Sequence, residues 1–395
     1  MKDLFEGAQY IMDRLEEAGF QAYMVGGCIR DLLLDREMGD IDIATSALPV
    51  EVSSLFPKTI PVGIEHGTVI VRHGAVSYEV TTFRKEGKYV DRRHPSSVEY
   101  IDSLEEDLSR RDFTINAMAM DRFGTIHDPF GGRQDLQNQL IKTVGNPVER
   151  FLEDPLRIMR ALRFWSVMGF SLESQTKRAC VSLSKELREI AVERIAVEFT
   201  KLLRGMDAPI CLAFIFEEGF SSSLPDLERY KDRTDHLSSF GWTGLEKDVE
   251  RWAALLFLLG VSDLTGFLKA WKRSNAFIRE VGLLFRFLDK DVRQPVYLYE
   301  LGEERAVSCL RIRNLLQGKE ANEELSDLKK SYHKLPIHSR KQLAVNGRDV
   351  VKSFEREKGP WIQEILGEIE KGVIEKTVQN NKEEILSWVR SWKVK

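Results

Sequence analysis

Apolar residues recur at helical spacing over residues 3–18, and a short apolar run at 23–25 then leads into Gly26-Gly27. This pattern predicts a helix, a strand, a glycine turn, a second helix starting near Cys28, and a second strand over Gly39-Asp-Ile-Asp-Ile43. Between Thr68 and Phe83 the period changes to alternation, with His73-Gly74 as a turn, so a hairpin should extend the same sheet. The polar string over residues 91–97 predicts an exposed loop. Beyond Asp128-Pro-Phe-Gly-Gly132 and Gly145-Asn-Pro147 the strand-like runs fade and helical spacing continues to the C-terminus. Breaks around 205–209, 222–225 and 293–295 divide that stretch into successive helical modules. The expected fold class is α+β: a head with a small mixed sheet and helices (residues 1–148), then an all-α neck (149–205), body (206–295) and tail (296–395).

Composition changes this picture little. Of the 395 residues, 43% are hydrophobic, enough for a substantial core, and 30% are charged with a net charge of only −4. No global basic field announces nucleic acid, so any RNA contact must be local. Residues 301–395 carry 19 Lys and Arg against 15 Asp and Glu, a slightly positive tail on an acidic chain. The four cysteines, Cys28, Cys180, Cys211 and Cys309, are far apart and form no metal or disulfide pattern, which fits a reducing cytoplasm. The acidic N-terminus does not read as a signal peptide, and the longest apolar run, 253–261, is about half a membrane span. It should be a buried helix. The seven histidines lack ligand spacing.

Candidate chemistry begins at Gly26-Gly27-Cys28-Ile29-Arg30-Asp31. Two glycines let the backbone approach a phosphate, a helix start offers free N–H groups, and Arg30 adds a guanidinium fork. In Gly39-Asp-Ile-Asp-Ile43, strand alternation puts Asp40 and Asp42 on one face and Ile41 and Ile43 on the core side. Two such carboxylates can hold Mg²⁺, and two ions roughly 4 Å apart would activate an attacking hydroxyl and neutralise leaving pyrophosphate. Alone, each half has a plainer reading as a tight turn or a solvated strand end. Their order and short spacing favour nucleotidyl transfer and resemble the signature of the DNA polymerase beta nucleotidyltransferase superfamily.

Further on, Glu153-Asp-Pro-Leu-Arg157 opens a helix, with Asp154 as N-cap and Pro155 at the first helical position. Ile158, Leu162 and Trp165 make an apolar stripe, while Arg157, Arg160 and Arg163 make a basic face. The plain alternative is an amphipathic helix with solvated arginines. A carboxylate beside a guanidinium matches the N4-H₂/N3 edge of cytosine and the N6-H₂/N1 edge of adenine. Guanine and uracil present the reverse polarity. Such a pair can select CTP and ATP by roughly 1 to 3 kcal/mol per bidentate contact.

Taken in order, Gly26–Asp31 with Gly39–Asp42, Arg110-Arg-Asp112, Asp128–Gly132, Glu153–Arg157 and Glu193-Arg-Ile-Ala-Val-Glu198 resemble the motifs of the bacterial class II CCA-adding enzymes, over nearly the whole chain. The resemblance implies that Asp40 and Asp42 bind metal, Mg²⁺, and that Gly27 and Arg30 bind triphosphate. It also implies Arg111 and Asp112 at the ribose, Asp154 and Arg157 as a protein template, and Arg160 and Arg163 at phosphate or nucleotide. Glu193, Arg194 and Glu198 would brace the template helix through buried charge pairs. Glu79, on the strand Tyr78-Glu-Val-Thr-Thr82, is a candidate third carboxylate for the primer hydroxyl's proton, with a solvated glutamate as the alternative. Residues 128–132 read either as a hinge or as a tight turn. Residues 89–95 resemble the family's flexible loop, with His94 in place of an expected arginine. Leu335-Pro-Ile337 and residues 343–349 resemble the class II tail. The implied partners are tRNA, CTP and ATP, with no membrane. A homodimer through the helical half is compatible with the pattern. Poly(A) polymerases and partial CC- or A-adding enzymes share the head and remain alternatives, as does a non-catalytic tRNA-binding protein.

Overall fold

A computed structural model describes residues 2–62, 67–87, 98–354 and 357–392, and the loop expected at 89–95 lies outside them. The chain divides into two compact units, Met1–Lys231 and Asp232–Lys395. The four parts expected from sequence cut the chain at other points, and the expected body, 206–295, spans the boundary between the two units.

The first unit opens with α1 (Lys2–Glu17), β1 (Ala22–Val25), α2 (Gly27–Leu33), β2 (Asp42–Thr45) and α3 (Pro49–Leu55). Then come β3 (Thr59–Ile60), β4 (Thr68–His73), β5 (Val76–Thr82), β6 (Arg84–Glu86), β7 (Val98–Tyr100), α4 (Leu104–Ser109), β8 (Ala119–Met120) and β9 (Ile126–His127). A seven-stranded sheet runs β3-β4-β5-β2-β1-β8-β9; β2 and β5 are parallel and the other pairs antiparallel. The mixed sheet and the predicted hairpin are thus present. Alternation decides which way it faces: Ile41, Ile43, Val69 and Val80 are buried with Ile11 and Leu15 of α1, while Asp40, Asp42 and Glu79 are exposed. The strand is shorter than expected. It begins at Asp42, and Asp40 precedes it.

Helices follow: α5 (Gly132–Gln137), α6 (Pro147–Glu153), α7 (Leu156–Met168), α8 (Ser174–Ser182), α9 (Val192–Leu202) and α10 (Ala208–Glu217). Between α6 and α7, Asp154 keeps extended dihedrals (φ −139°, ψ 99°) and its carboxylate accepts from Leu156 N at 3.1 Å, while Pro155 is already helical. It caps α7 as the sequence implied. The solvated-arginine alternative fails, because α7 is buried on nearly every side and Arg157 is only 7% exposed. Gly205 shows how closely α7 is held: a Cβ there would sit 2.2 Å from the Ser166 carbonyl oxygen. Residues 128–132 form a tight turn in which the Asp128 carboxylate accepts from Gly132 N and Arg133 N at 2.7 and 2.9 Å.

The second unit is helical: α11 (Asp248–Leu258), α12 (Leu264–Ala270), α13 (Asn275–Phe287), α14 (Pro295–Leu316, interrupted at Gly302), α15 (Leu325–His333), α16 (Gly347–Phe354), α17 (Trp361–Ile374) and α18 (Lys382–Ser391). The apolar run predicted as a buried helix forms α11 and the turn after it. Glu250 on α11 is fully buried yet satisfied, accepting from Ser308, Arg311 and the N–H groups of Glu246 and Lys247. Among the described residues no helix is long and apolar enough to cross a membrane.

Candidate active site

β1 runs straight into Gly26, whose φ of +79° is the left-handed conformation that favours glycine. A Cβ there would also lie 3.0 Å from Arg111 Nη1, so the turn brings the α2 start against the Arg110-Arg-Asp112 segment. Around this junction lies a cleft with a volume of about 860 Å³. Gly27, Arg30, Asp42, Arg111 and Asp112 line it from the sheet side, and Asp154, Arg157, Arg160 and Arg163 from the α7 side. The lining holds ten basic side chains against five acidic ones. A chain with net charge −4 therefore carries a local field suited to polyphosphate.

Asp42 stands at the strand start, and the parallel β2–β5 register sets Glu79 directly beside it. Side chains at paired positions share a face of the sheet. Solvent reaches Asp42 through the cleft, but the surrounding protein desolvates its carboxylate and Glu79 repels it, so its pKa rises to about 6 despite Arg111. Asp40 and Glu79 are outside the cleft lining, and Asp40 adds a smaller repulsion. Among the described residues no three His, Cys, Asp or Glu side chains converge on a single metal-holding point. The donor set nevertheless fits a hard divalent cation, being carboxylate oxygens only, with Glu79 set beside Asp42 by the strand register.

The rest of the cleft is a connected polar network. Arg30 donates through Nε and Nη2 to the Asp31 carboxylate, both at 2.9 Å, and through Nη1 to Asn116 Oδ1 at 2.7 Å. Asn116 in turn donates to Asp112 Oδ1 at 3.0 Å, which also accepts from Phe113 N at 2.9 Å. Arg160 Nε closes on Asp112 Oδ2 at 2.7 Å. Burial alone would raise the Asp112 pKa, but Arg160 and Asn116 outweigh it and hold the carboxyl at about 2. On α7, Arg163 Nε lies 3.1 Å from Glu198 Oε2 of α9, an ion pair without hydrogen-bond alignment, and burial brings Arg163 down to about 10.

At the expected template pair, Asp154 Oδ2 accepts from Arg194 Nη2 at 2.9 Å. Arg157 donates from Nη1 to Glu153 Oε2 and Arg150 O (2.8 and 3.1 Å), and from Nη2 to Arg110 O at 3.1 Å. Both side chains keep hydrogen-bonding capacity, since a carboxylate has about four acceptor sites and a guanidinium five N–H donors. Arg194 and Glu198 brace this wall, whereas Glu193 is exposed. The sequence reasoning missed Asn116, Asp107 and Asp31. Asp107 is buried beneath Arg110 and Arg111, at 2.9 and 3.4 Å, and its i−3 and i−4 spacing was a usable signal.

Three family descriptions match in chain order. The poly A polymerase head domain covers residues 22–142, the probable RNA- and SrmB-binding site of polymerase A covers 169–231, and the putative tRNA nucleotidyltransferase domain 2 covers 243–389. The CCA-adding enzyme of Geobacillus sp. (strain WCH70) is 45% identical over 98% of this chain and 97% of its own length. The chain belongs to the CCA-adding enzyme family. The Geobacillus kaustophilus member is 46% identical over 98% and 97% of the two chains. The crystal structure of the Bacillus stearothermophilus member in complex with CTP superposes with a TM-score of 0.93 at 42% identity, covering 100% of this chain and 98% of that one. Family membership makes this a nucleotidyltransferase with the α+β fold read from its sequence.

Proposed function

We propose that the cleft adds and repairs the 3′-terminal CCA of tRNA from CTP and ATP, without a nucleic-acid template, releasing pyrophosphate. The observation that carries this reading is the coexistence, in one basic cleft, of a strand carboxylate beside the glycine turn and a wall made by half-buried Asp154 and buried Arg157. Family membership and the CTP complex of the Bacillus stearothermophilus relative support it.

The primer 3′-oxygen attacks the α-phosphorus of the bound nucleotide, a P–O bond forms, and the bond to the β-phosphate breaks with pyrophosphate leaving. Gly27 and Arg30 hold the triphosphate, and Arg111 with Asp112 faces the ribose. Asp112 acts largely through Arg160, because its carboxylate is already bonded to three donors. Asp40 and Asp42 are the ligands we assign to a divalent cation, Mg²⁺, which when bound supplies charge neutralisation for the displacement. Glu79, which the register sets beside Asp42, is the group we assign to accept the hydroxyl proton. Asp154 and Arg157 accept and donate to the base edges shared by cytosine and adenine, and Arg160 and Arg163 take phosphate. The slightly basic tail meets tRNA by shape and phosphate contacts. Four buried, unpaired cysteines suit the reducing cytoplasm we assign as its setting.

The test is product length at single-nucleotide resolution, using tRNA lacking its CCA, Mg²⁺, and CTP and ATP separately and together. Two C additions and one A, then arrest, are expected. A long A ladder would make the chain a poly(A) polymerase, C-only or A-only extension a partial-activity relative, and tRNA binding without extension a non-catalytic binder.

A further inference from the structure

We propose that Phe164 is a positioning residue for nucleotide binding, its ring gathering Arg30, Arg160 and Arg163 into one cationic cluster that takes the substrate's triphosphate. The inference deepens the nucleotidyl-transfer reading and rests on it. No motif of the sequence singles out this phenylalanine.

The guanidinium carbons of Arg30, Arg160 and Arg163 lie 5.2, 5.7 and 4.1 Å from the centre of the Phe164 ring. Cations within about 6 Å of a ring centre are attracted by its quadrupole. Two of these arginines come from α7 and the third from α2, so the ring is a shared partner of both cleft walls. Like charges brought this close repel, as Arg160 and Arg30 do toward Arg163, and the ion pairs to Asp31, Asp112 and Glu198, with further attraction from Glu198 and Asp154 on Arg160, offset part of it. An aromatic face offsets part of that repulsion without occupying the in-plane N–H groups, so those not already given to Asp31, Asn116 and Asp112 can reach phosphate oxygens.

The ring itself is held in place. Phe164 is buried at the cleft wall and meets Phe113 edge-on, with centroids 5.6 Å apart at 83°. Phe113 follows Asp112, whose carboxylate accepts from Phe113 N and from Arg160 Nε. Arg30, Asn116, Asp112, Arg160 and Phe164 thus form a closed circuit of contacts. Removing the ring opens the circuit at the point where α2 and α7 are joined.

The experiment compares wild-type protein with Phe164→Leu and Phe164→Tyr, all full-length. Inorganic pyrophosphate, which has neither base nor sugar, is the binding probe by calorimetry. KM and kcat are measured for CTP and for ATP. Phe164→Leu should weaken pyrophosphate binding and raise both KM values about tenfold, the size of one desolvated cation–π contact, with kcat and the CTP-to-ATP preference kept. Phe164→Tyr, which keeps the ring, should stay within about twofold of wild type. Wild-type pyrophosphate affinity in Phe164→Leu overturns the proposal, as does an equal defect in Phe164→Tyr or a changed base preference. If Phe164→Leu does not fold, Phe164→Met takes its place with the same expectations. A wild-type protein that binds pyrophosphate but adds no nucleotide refutes the proposed function instead, and the two failures are distinct.

Discussion

The two walls of the cleft solve opposite electrostatic problems. On the sheet side Asp42 faces Glu79 across the register with Asp40 nearby, and Arg111 is the cation that opposes their repulsion. On the α7 side the acidic groups are matched, Asp154 with Arg194, Glu153 with Arg157 and Glu198 with Arg163, and Arg160 of α7 reaches across to match Asp112 as well. The sheet side is left under-neutralised, so it gains most when a cation arrives. The α7 side is balanced in advance, so its side chains are already oriented when substrate enters. Under the proposed function, cation binding falls where charge is unsatisfied and base discrimination where it is satisfied.

Asp42→Asn should break the comparison most visibly. Incorporation of CMP or AMP into tRNA is expected to fall at least about a thousandfold, corresponding to several kcal/mol of transition-state stabilisation. Because the substitution relieves repulsion, the thermal midpoint in metal-free buffer should hold or rise. Single-turnover incorporation and a melting curve decide the matter, and a clear drop in midpoint would mean that Asp42 is structural.

Asp112→Asn should do the reverse, costing stability first. The folded Asp112 carboxyl sits at about 2 against an ordinary value of 3.8. A depressed folded pKa gives stability that is complete above the ordinary value and lost as pH falls through the folded one. The difference corresponds to about 2 kcal/mol. Urea unfolding of wild type and variant from pH 7 to pH 2 should show this gap shrinking steadily between about pH 4 and pH 2. A pH-independent gap would assign the loss to packing.

Much of the sheet side was legible because its signals are local. Period-two alternation put Ile41 and Ile43 in the core and Asp40 and Asp42 outside, and Gly26 marked the left-handed turn before α2. The strand itself starts later than its pattern suggested: burial already alternates at Asp40 and Ile41, but ladder pairing begins only at Asp42. The pairing of Glu79 with Asp42 was not legible, being set by a parallel register between strands 37 positions apart. The α7 side was harder. Its arginines look solvated along the helix, and partners from other elements take them up: Glu198 of α9 for Arg163, Asp112 for Arg160, and Glu153 with the Arg110 carbonyl for Arg157. Helical periodicity marks a polar face, yet a polar face buried by ion pairs and one bathed in water share the same spacing.

That ambiguity makes Arg194→Ala the finest test. Arg194 Nη2 holds Asp154 Oδ2 at 2.9 Å, and Asp154 is the template carboxylate proposed to accept from the exocyclic amino group of cytosine or adenine. Asp154→Ala removes that acceptor and should relax choice among the four nucleotides by roughly 1 to 3 kcal/mol. Arg194→Ala leaves the acceptor and removes only its orientation, so the loss should be smaller, about tenfold in kcat/KM discrimination against GTP and UTP. Arg194 is exposed enough for water to replace the lost contact, so Arg194→Ala should change stability by less than about 1 kcal/mol, whereas Asp154→Ala also loses the α7 cap and should cost about 1 kcal/mol. Competition assays with all four nucleotides, run alongside unfolding curves, separate the outcomes. If selectivity survives in Arg194→Ala while Asp154→Ala loses it, Asp154 is oriented by its cap to Leu156 alone. If both variants keep wild-type selectivity, the base is chosen elsewhere and the prepaid ion pairs of the α7 wall serve stability rather than discrimination.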